Sequence, residues 1–571
     1  MSNNHCQLNK PFKPFNNELI AVANDIARMY LQPELSDLVL IVQNHRFPVH
    51  RVVLAARSQY FRALLYSGLK ESYQSEIEIK NANHEAFEHI LRYIYKGTIN
   101  VSDMMDDLVM ELLSLVHQYG LVSIEKQIST HLSHNLALDN VVSVLNVAVL
   151  YNIQELLDRC LRFLDKHSAE FLASGMIGGF TEGALCCVIG RDSFCAPEIT
   201  IFEAVVQWLE LNKSNYSQDI TSQILSLVRL CLISSSDLLW RVRPTGLVAA
   251  ENILDAMENQ LKAARLPHRG LMIPEENLAK PEWNASIIHG GPDAMCMSQY
   301  CTPEHVDSSD SIFGEHLIEE QGRIVIRLGN PSKINLIRMH LLDLEGRSYS
   351  YIVDVSLDQI SWVTVTDYRK YICRSWQTLY FDPIVVQYIR IIGTRNTVTR
   401  TFTVLQFECL YTDNIRHHSD NIQIPNYNVA SIEHHATVIE GVSRSRNSLL
   451  NGETKNYNWD SGYTCHQLGN GAIVVQLAQP YIVNYIRFLL WDLDDRSYSY
   501  TVEVSTDRAK WVMVADNSSE LCSSYQNLYF TRQPVVFIRI IGTYNSANEV
   551  FHIVHLETCH HSNETNAIEN P

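Results

Sequence analysis

The C-terminal half of the chain contains a long internal repeat. When the sequence is aligned with itself at an offset of 149 residues, positions 322–393 match positions 471–542 at 36 of 72 positions without a gap. Shared composition alone does not preserve the order of residues over such a length, so the match indicates a duplicated domain. Whatever fold the first copy adopts, the second copy is expected to adopt as well.

Each copy has the residue alternation of a β-sheet protein. In both copies the sequence RSYSY opens a segment in which every second side chain is large and apolar or aromatic. This period of two predicts a strand with one face buried, and it places four tyrosines in the cores of the two copies, Tyr349, Tyr351, Tyr498 and Tyr500. Many short strands of this kind, separated by polar turns, favour an antiparallel β-sandwich for each copy.

Charged residues flank the same segment at matching positions. Asp343 lies four residues before Arg347, and Asp492 lies four residues before Arg496. We predict that each aspartate pairs with its arginine across the turn that leads into the strand. The alternative is that the arginines face a binding partner.

The N-terminal half has a different pattern. Residues 36–100 mix strands with short helices, and residues 105 to about 263 show helical periodicity. An apolar stripe with spacings of three and four runs from Val142 to Phe163, and Asn152 is predicted to break it into two paired helices. Polar, proline-containing segments at 266–282 and 413–433 are predicted to be linkers between domains.

Composition and charge exclude several classes of protein. The 571 residues include 45 basic and 63 acidic ones, a formal net charge of −18 that would repel nucleic acid. We also predict no membrane span, because no stretch reaches roughly 18 apolar residues, and no leader peptide at the N-terminus. Thirteen cysteines without a regular framework suit a reducing compartment, so a cytoplasmic location is expected.

Three segments carry resemblances to known families. The N-terminal region resembles the BTB/POZ family through "SDL" from Ser36, "FPVHRVVLAARSQYFRALL" from Phe47 and "FEHILRYIYKGTI" from Phe87. The following helices resemble the BACK region that often follows such domains, including "IFEAVVQWLELN" from Ile201. Each repeat resembles a coagulation-factor 5/8 type C, or discoidin, domain, through "SYTVEVSTDRAKWVMV" from Ser499 and its counterpart from Ser350.

Together these segments predict a multidomain α+β chain: an α/β BTB domain, an all-α BACK region and two all-β discoidin-like jelly-roll sandwiches. The expected boundaries are 1–135 for BTB with an N-terminal helix, 136–265 for BACK, 266–282 for a linker, 283–412 and 434–560 for the sandwiches, 413–433 for a second linker and 561–571 for a tail. Secreted discoidin domains usually join their two ends by a disulfide. Cys409 and Cys559 have no cysteine near the matching domain starts, which agrees with the reducing compartment.

The BTB resemblance implies two protein contacts. Many members hold the scaffold protein cullin-3 through a hydrophobic residue, any residue and then glutamate, which here corresponds to Leu69 and Glu71 in "YSGLKES"; the alternative is an ordinary surface loop. Members also form homodimers through an exchanged N-terminal helix. The stripe Leu19, Val22, Ile26 and Met29 fits that helix, although the same stripe could pack on its own domain.

The discoidin resemblance implies binding by loops at one end of the barrel. In the second copy the segment "NGETKNYNWDSGYT" places Tyr457, Trp459 and Tyr463 close together. Aromatic residues are frequent interface anchors, but the family's tryptophan at this place commonly packs on the barrel, so we predict packing for Trp459 and keep Tyr457 as the better ligand candidate. The matching segment of the first copy has a different composition, so the two copies are not expected to share a ligand.

Metal, cofactor and catalytic patterns are weak. Cys296, Cys301 and His305 lack the spacing and the fourth ligand of a zinc site, so no metal and no cofactor are expected. The chain has no G-x-S-x-G, H-E-x-x-H or phosphate-loop pattern. The resemblance to the BTB/POZ, BACK and discoidin families implies a non-catalytic adaptor that recruits substrates to a cullin-3 RING E3 ubiquitin ligase. The alternative is a BTB scaffold that dimerises and assembles protein partners without a ligase.

Overall fold

A computed structural model describes residues 16–68, 70–212, 217–262, 266–291, 313–414, 416–460 and 462–561. The side chains of residues 16–20 and of residue 345 are not described. The chain forms two compact units, Met1–Pro267 and His268–Pro571. Across the described ranges, every helix is too short or too polar to cross a bilayer.

The first unit begins with a small sheet covered by helices. Its central strand β1 (Leu38–Val42) pairs antiparallel with β2 (His45–Val49) and parallel with β3 (Glu76–Glu78). The alternate residues of β1 are buried, as expected for a strand with one face in a core. The surrounding helices are α1 (Asn16–Arg28), α2 (Arg51–Arg57), α3 (Gln59–Tyr66), α4 (His84–Lys96), α5 (Asp106–Gln118) and α6 (Val122–His134).

Local sequence explains where these helices begin and end. Before α4 the side chain of Asn83 accepts hydrogen bonds from the backbone N–H groups of Glu85 (2.8 Å) and Ala86 (3.4 Å). After α4 Gly97 takes a left-handed conformation with φ of 72°, which ends the helix at little steric cost. The aromatic rings of Phe61, Phe87 and Tyr119 meet in the core that these helices enclose.

Paired helices complete the first unit. They are α7 (Val141–Leu150), α8 (Gln154–Lys166), α9 (Ser168–Ser174), α10 (Glu182–Ile189), α11 (Glu198–Leu211), α12 (Gln218–Ser226), α13 (Ser235–Asp237) and α14 (Ala250–Lys262). The predicted break at Asn152 is confirmed: this residue lies between α7 and α8 with a positive φ of 53°. One continuous hydrophobic core runs from Leu38 to Ala256, so the sheet and all these helices form a single body.

The second unit consists of two antiparallel β-sandwiches of the same type. The first contains β4 (Ser286–His289), β5 (Gly314–Leu317), β6 (Ile324–Leu341), β7 (Tyr349–Ser356), β8 (Val363–Asp367), β9 (Trp376–Asn396) and β10 (Thr401–Leu410). Its strand order is β5-β10-β6-β9-β7-β8, and β4 pairs with β6.

The second sandwich repeats this order. It contains β11 (His418–Ser419), β12 (Ile422–Gln423), β13 (Thr437–Glu440), β14 (Thr464–Gln467), β15 (Ile473–Leu490), β16 (Tyr498–Ser505), β17 (Val512–Cys522), β18 (Tyr525–Asn545) and β19 (Val550–Cys559). The strands β15, β18, β16 and β17 lie side by side, as do their counterparts β6, β9, β7 and β8. The two discoidin-like folds expected from the repeat are therefore present.

The repeated residues lie where the two folds need them. All four tyrosines of the RSYSY segments are completely buried. Their hydroxyl groups have partners: Leu342 O for Tyr349 (2.8 Å), His552 Nδ1 for Tyr498 (3.3 Å), and Gln377 Oε1 and Gln526 Oε1 for Tyr351 and Tyr500 (2.9 Å each). These segments are thus scaffold in both copies.

A repeated glycine shows why the duplication preserved single residues. A Cβ atom on Gly393 would lie 2.2 Å from the ring of Phe402, and one on Gly542 would lie 2.1 Å from the ring of Phe551. Such distances are far below van der Waals contact, so each ring can pack on its strand because the residue beneath it is glycine.

The segments predicted to be linkers are partly built into the sandwiches. In the segment 266–282 the backbone of Leu271 bonds to Pro331 and Lys333, and Leu278 is buried. In the segment 413–433 the strands β11 and β12 join the second sheet, and Val429 is fully buried. Their polar, proline-containing composition predicted linkers, but a few apolar residues spaced along each segment fix it to a core.

The two sandwiches meet through a polar and apolar joint. The buried side chain of Gln479 accepts a hydrogen bond from the backbone N–H of Thr378 (2.6 Å) and donates one to its C=O (2.9 Å). The C=O of Ala478 accepts from the side chain of Gln377 and the backbone N–H of Arg374 (2.9 Å each). Beside these bonds an apolar cluster spans both domains, formed by Ile372, Ala472, Val474, Val536 and Phe537. The tandem is consequently one body.

Candidate functional site

The N-terminal helix α1 divides its apolar stripe between two environments. Met29, directly after α1, packs on the core of its own domain, whereas Val22 is 59% exposed and Ile26 is 37% exposed. Leu19 belongs to the same helix, but its side chain lies outside the described residues. Tyr30, just beyond α1, holds this end of the helix in place through a bond to the Glu88 side chain (3.4 Å). The exposed part of the stripe is thus available to another chain.

The turn after α3 presents a charged and an aromatic residue. Glu71 lies half-buried in a 3₁₀ turn, Lys70–Tyr73, in which the Tyr73 side chain is 85% exposed. Arg51 fixes this turn by donating to Ser72 O (3.0 Å) and to Gln74 O. Burial, together with the nearby charge of Glu71, raises the pKa of Tyr60. Leu69, the predicted hydrophobic contact, lies outside the described residues.

At one end of the second sandwich, aromatic and basic side chains form a stack that we name the Trp459 cluster: Trp459, Tyr463, Trp491, Arg496 and His552. The ring of Trp459 lies 3.9 Å from the ring of Trp491, measured between centroids, and Tyr463 approaches both indoles edge-on at 5.6 Å. Trp491 is completely buried, whereas Trp459 is 44% exposed. The cluster therefore shows one exposed indole face that rests on a rigid buried base.

Tyr457 and Trp459 lie in different surroundings, and the predicted packing of Trp459 on the barrel is found. Tyr457 is half-buried, and its hydroxyl donates to Asp492 Oδ1. Burial of the tyrosine raises its pKa, and the bond to the Asp492 carboxylate raises it further. Trp459 does pack on the barrel, through Trp491, but keeps much of its surface in solvent. Stacking on a second indole holds a tryptophan in place without covering its outer face, so Trp459 is the better contact candidate.

The charges of the cluster are largely balanced. Arg496 is buried and donates from Nε and Nη2 to the two carboxylate oxygens of Asp494, at 2.5 Å each, and its guanidinium lies 4.9 Å from the Trp459 ring centre. This pair lowers the pKa of Asp494. Burial, reinforced by the neighbouring Arg496, lowers the pKa of His552 to about 4, so the imidazole is neutral at pH 7.

The predicted pairing of aspartate with arginine is therefore wrong in both copies. In the second, Arg496 pairs with Asp494 and Asp492 binds Tyr457. In the first, Asp343 accepts from Arg374 (3.2 Å) instead of Arg347. A spacing of four residues brings side chains together on a helix, but here the aspartates lie at a tight turn, where other residues approach more closely.

The first sandwich has no equivalent stack among its described residues. Leu342 stands where the second copy has Trp491, and Thr403 stands where it has His552. Sequence reasoning missed Trp491 and His552, although this difference between two otherwise similar copies was a usable signal. Cys296, Cys301 and His305 lie outside the described residues, and the residues that are described contain no group of three metal-binding side chains.

Comparison with known proteins gives consistent matches along the chain. A family model for the BTB/POZ domain matches residues 27–136, and one described as BTB And C-terminal Kelch matches residues 141–243. BTB/POZ domain-containing protein 9 from Mus musculus is 45% identical over 568 residues, covering 98% of this chain and 91% of the relative. The Homo sapiens protein is likewise 45% identical over 567 residues, with the same coverage, and the Drosophila melanogaster protein is 44% identical over 536 residues, covering 93% of this chain and 73% of the relative.

The fold and these matches define a class of protein: a BTB–BACK protein that ends in two discoidin-like sandwiches. Identity of 45% over nearly the full length places the chain more narrowly. It belongs to the family of BTB/POZ domain-containing protein 9.

Proposed function

We propose that the chain is a non-catalytic, substrate-recruiting adaptor of a cullin-3 RING E3 ubiquitin ligase. The observation that supports this most directly is the turn Lys70–Tyr73, which presents Glu71 and the exposed Tyr73 on a BTB domain that BACK helices follow. An aromatic anchor beside a charged residue is the usual composition of a strong protein contact. The protein would act in the cytoplasm.

The exposed stripe of α1 supports homodimerisation of the adaptor. Val22 and Ile26 are apolar, lie on one side of a helix and face solvent, so burying them against a second chain would stabilise a dimer. A dimer would carry four sandwiches. Because each tandem is one body, the distance between the two sandwiches of a chain is set by the fold, and weak contacts with a substrate would add up for partners that match that distance.

The Trp459 cluster is the surface we assign to the protein substrate. A half-exposed indole that rests on a buried one loses little conformational freedom when a partner packs against it. The adaptor would accelerate ubiquitin transfer by placement: it would raise the effective concentration of substrate lysines near the charged ubiquitin carrier, whose own enzymes perform the chemistry.

Cullin binding can be tested by co-purification. Cullin-3 should be recovered with the full-length wild-type chain and lost with the double variant Leu69→Asp, Glu71→Ala, because the change removes an apolar side chain and a hydrogen-bonding carboxylate two positions apart in the sequence. The variant must remain dimeric by light scattering. Ile360→Asp, at a site in the first sandwich that is 84% exposed, serves as the control for an added surface charge.

The outcomes separate the two functions considered. Full recovery of cullin-3 with the double variant would remove the assigned contact. If the wild-type chain recovers no cullin-3 but still forms a dimer, the chain is a scaffold that assembles protein partners without a ligase.

A further inference from the structure

The two sandwiches use one face differently. In the first sandwich residues 371–381 form the face that the second sandwich covers. The equivalent residues of the second sandwich, 520–530, share six of these eleven residue types, including Gln526 for Gln377 and Leu528 for Leu379. Within the described part of the second unit, the first sandwich does not cover this second face. We name it the 520–530 face.

Exposure shows how open this face is. Leu521 is 71% exposed where Ile372 is 7% exposed, and Tyr529 is 59% exposed where Tyr380 is 8% exposed. Even Leu528, which points to the core of its own sandwich, is half-buried. Residues that are buried in the first copy are thus left in water in the second, at a cost that docking of a suitable surface would remove.

The backbone of the 520–530 face also offers hydrogen-bonding groups to another chain. In the first sandwich the N–H and C=O of Thr378 point outwards from β9, where Gln479 binds both. In the second sandwich, Asn527 of β18 is the residue equivalent to Thr378. This part of β18 pairs with β15 on one side, and its pairing with β16 starts only at Phe537. A strand edge of this kind is a template for pairing with another polypeptide.

The chain itself carries a surface that fits. The partner of the covered face is the segment 472–479 of the second sandwich, and its equivalent in the first sandwich is the segment 323–330, which we name the 323–330 face. Val325 repeats Val474, and Asn330 supplies an amide where Gln479 does so. Gly329 holds the sequence position equivalent to Ala478, so its C=O is the counterpart of the acceptor in the joint. The amide, the carbonyl and one apolar residue of the joint therefore have counterparts, whereas Arg323 and Gln387 stand where the joint has the apolar Ala472 and Val536.

The charges at the two free faces are complementary. On the 323–330 face, Arg323 and Arg327 are exposed where the covered joint has Ala472 and Gln476. On the 520–530 face, Glu520 is exposed where the covered joint has Tyr371, which packs on the cluster containing Ala472. Because Tyr371 packs on the cluster that contains Ala472, and Gln476 donates to Ile372 O, a joint repeated on the free faces would bring Glu520 towards Arg323 and Arg327, where an ion pair would select this register.

We propose that the 520–530 face of one chain docks on the 323–330 face of a second copy, repeating head to tail between chains the joint that exists within each tandem. The contact is heterologous, since each chain offers two different faces. It can therefore continue from chain to chain instead of closing in a pair. The proposal is independent of cullin binding and of the BTB dimer.

Sedimentation velocity of the full-length protein tests this, from nanomolar to high micromolar concentration. The wild type should form species larger than a dimer as the concentration rises. Leu521→Arg should weaken this association by roughly tenfold or more, because it places a charge in the centre of the contact. Leu493→Arg, in the same sandwich and 59% exposed, should leave it unchanged.

Charge reversal tests the register. Glu520→Arg and Arg327→Glu chains should each form the larger species poorly when alone, and an equimolar mixture of the two variants should form them again, because each variant then finds its opposite charge. Restoration in the mixture cannot follow from misfolding of either variant. A wild type that stops at the dimer at every concentration overturns the proposal, and so does a Leu521→Arg variant that associates as strongly as the wild type.

Discussion

Leu379 in the first sandwich is completely buried, whereas Leu528, at the same position of the same strand in the second, is half-buried. The two domains share their core tyrosines, their strand order and their repeated glycine, so the difference does not lie in the fold. Within the tandem, the second sandwich covers this end of the first, whereas the first sandwich does not cover the corresponding end of the second. A duplicated domain can therefore use the same residues once as an internal joint and once as an open surface.

The largest difference in stability between the two sandwiches is expected when that leucine is truncated in each copy. Leu379→Ala should lower the free energy of unfolding of the tandem by roughly 3–5 kcal/mol, the cost of an unfilled cavity in a closed core. Leu528→Ala should lower it by roughly 1–2 kcal/mol, because water already reaches that side chain. Urea unfolding followed by intrinsic fluorescence measures both. Equal losses would show that the two ends are equally closed.

The repeat also shows what the sequence could and could not predict. The alternation around Tyr349 and Tyr498 gave the buried strands, because a strand with one face in a core needs period two whatever its neighbours are. Asn152 gave the break between α7 and α8, because its left-handed backbone is a local property. Gln377 and Gln526 are the same residue type at equivalent positions and both bind a core tyrosine, yet only Gln377 also lies in the joint. Burial by another domain leaves no mark on such a residue.

The same limit applies to the candidate site. The loop with Trp459 was found from its composition, since aromatic residues in a polar loop are unusual. Its base was not found, because Trp491 and His552 come from distant parts of the chain and meet only in the folded barrel. The choice between Tyr457 and Trp459 depended on Asp492, whose partner is fixed by the geometry of a turn.

A second comparison concerns pH. His552 in the second copy replaces Thr403 in the first, and its folded-state pKa is about 4 against about 6.5 for an unfolded histidine. Below pH 6.5 the unfolded chain binds a proton that the folded chain does not, so the free energy of unfolding should fall as the pH drops, by up to about 3 kcal/mol at pH 4. Replacing the histidine with glutamine should remove this part of the pH dependence.

Thermal unfolding of the wild type and of His552→Gln between pH 7 and pH 4 measures the effect. The apparent Tm of the variant should decline less over this range. His289→Gln, which changes an exposed histidine of the first sandwich, is the matched control and should follow the wild type. A variant that declines as steeply as the wild type would place the acid sensitivity elsewhere.

The joint itself can be compared with its free counterpart. Gln479→Ala removes the amide that binds both backbone groups of Thr378, and should cost roughly 1–2 kcal/mol, because the N–H of Thr378 loses its partner while its C=O keeps the bond from Gln423 Nε2 (3.1 Å). Asn330→Ala, at the equivalent exposed position of the first sandwich, should change the free energy of unfolding by less than about 0.5 kcal/mol. Urea unfolding of the two variants measures the difference, and similar losses would mean that the joint is not held by this amide.

The smallest effect is expected at Trp459. Its outer face is in water and its inner face stacks on Trp491, so Trp459→Ala should lower the free energy of unfolding by about 1 kcal/mol or less, the value of one aromatic contact. The Arg496–Asp494 pair does not depend on the indole and should persist. A loss well above that would mean that Trp459 is needed to close the barrel end, and the second sandwich would then lack the exposed anchor that distinguishes it from the first. Urea unfolding measures this loss. A small loss would agree with a role of the indole in partner binding, because the fold of the sandwich would then not require that side chain.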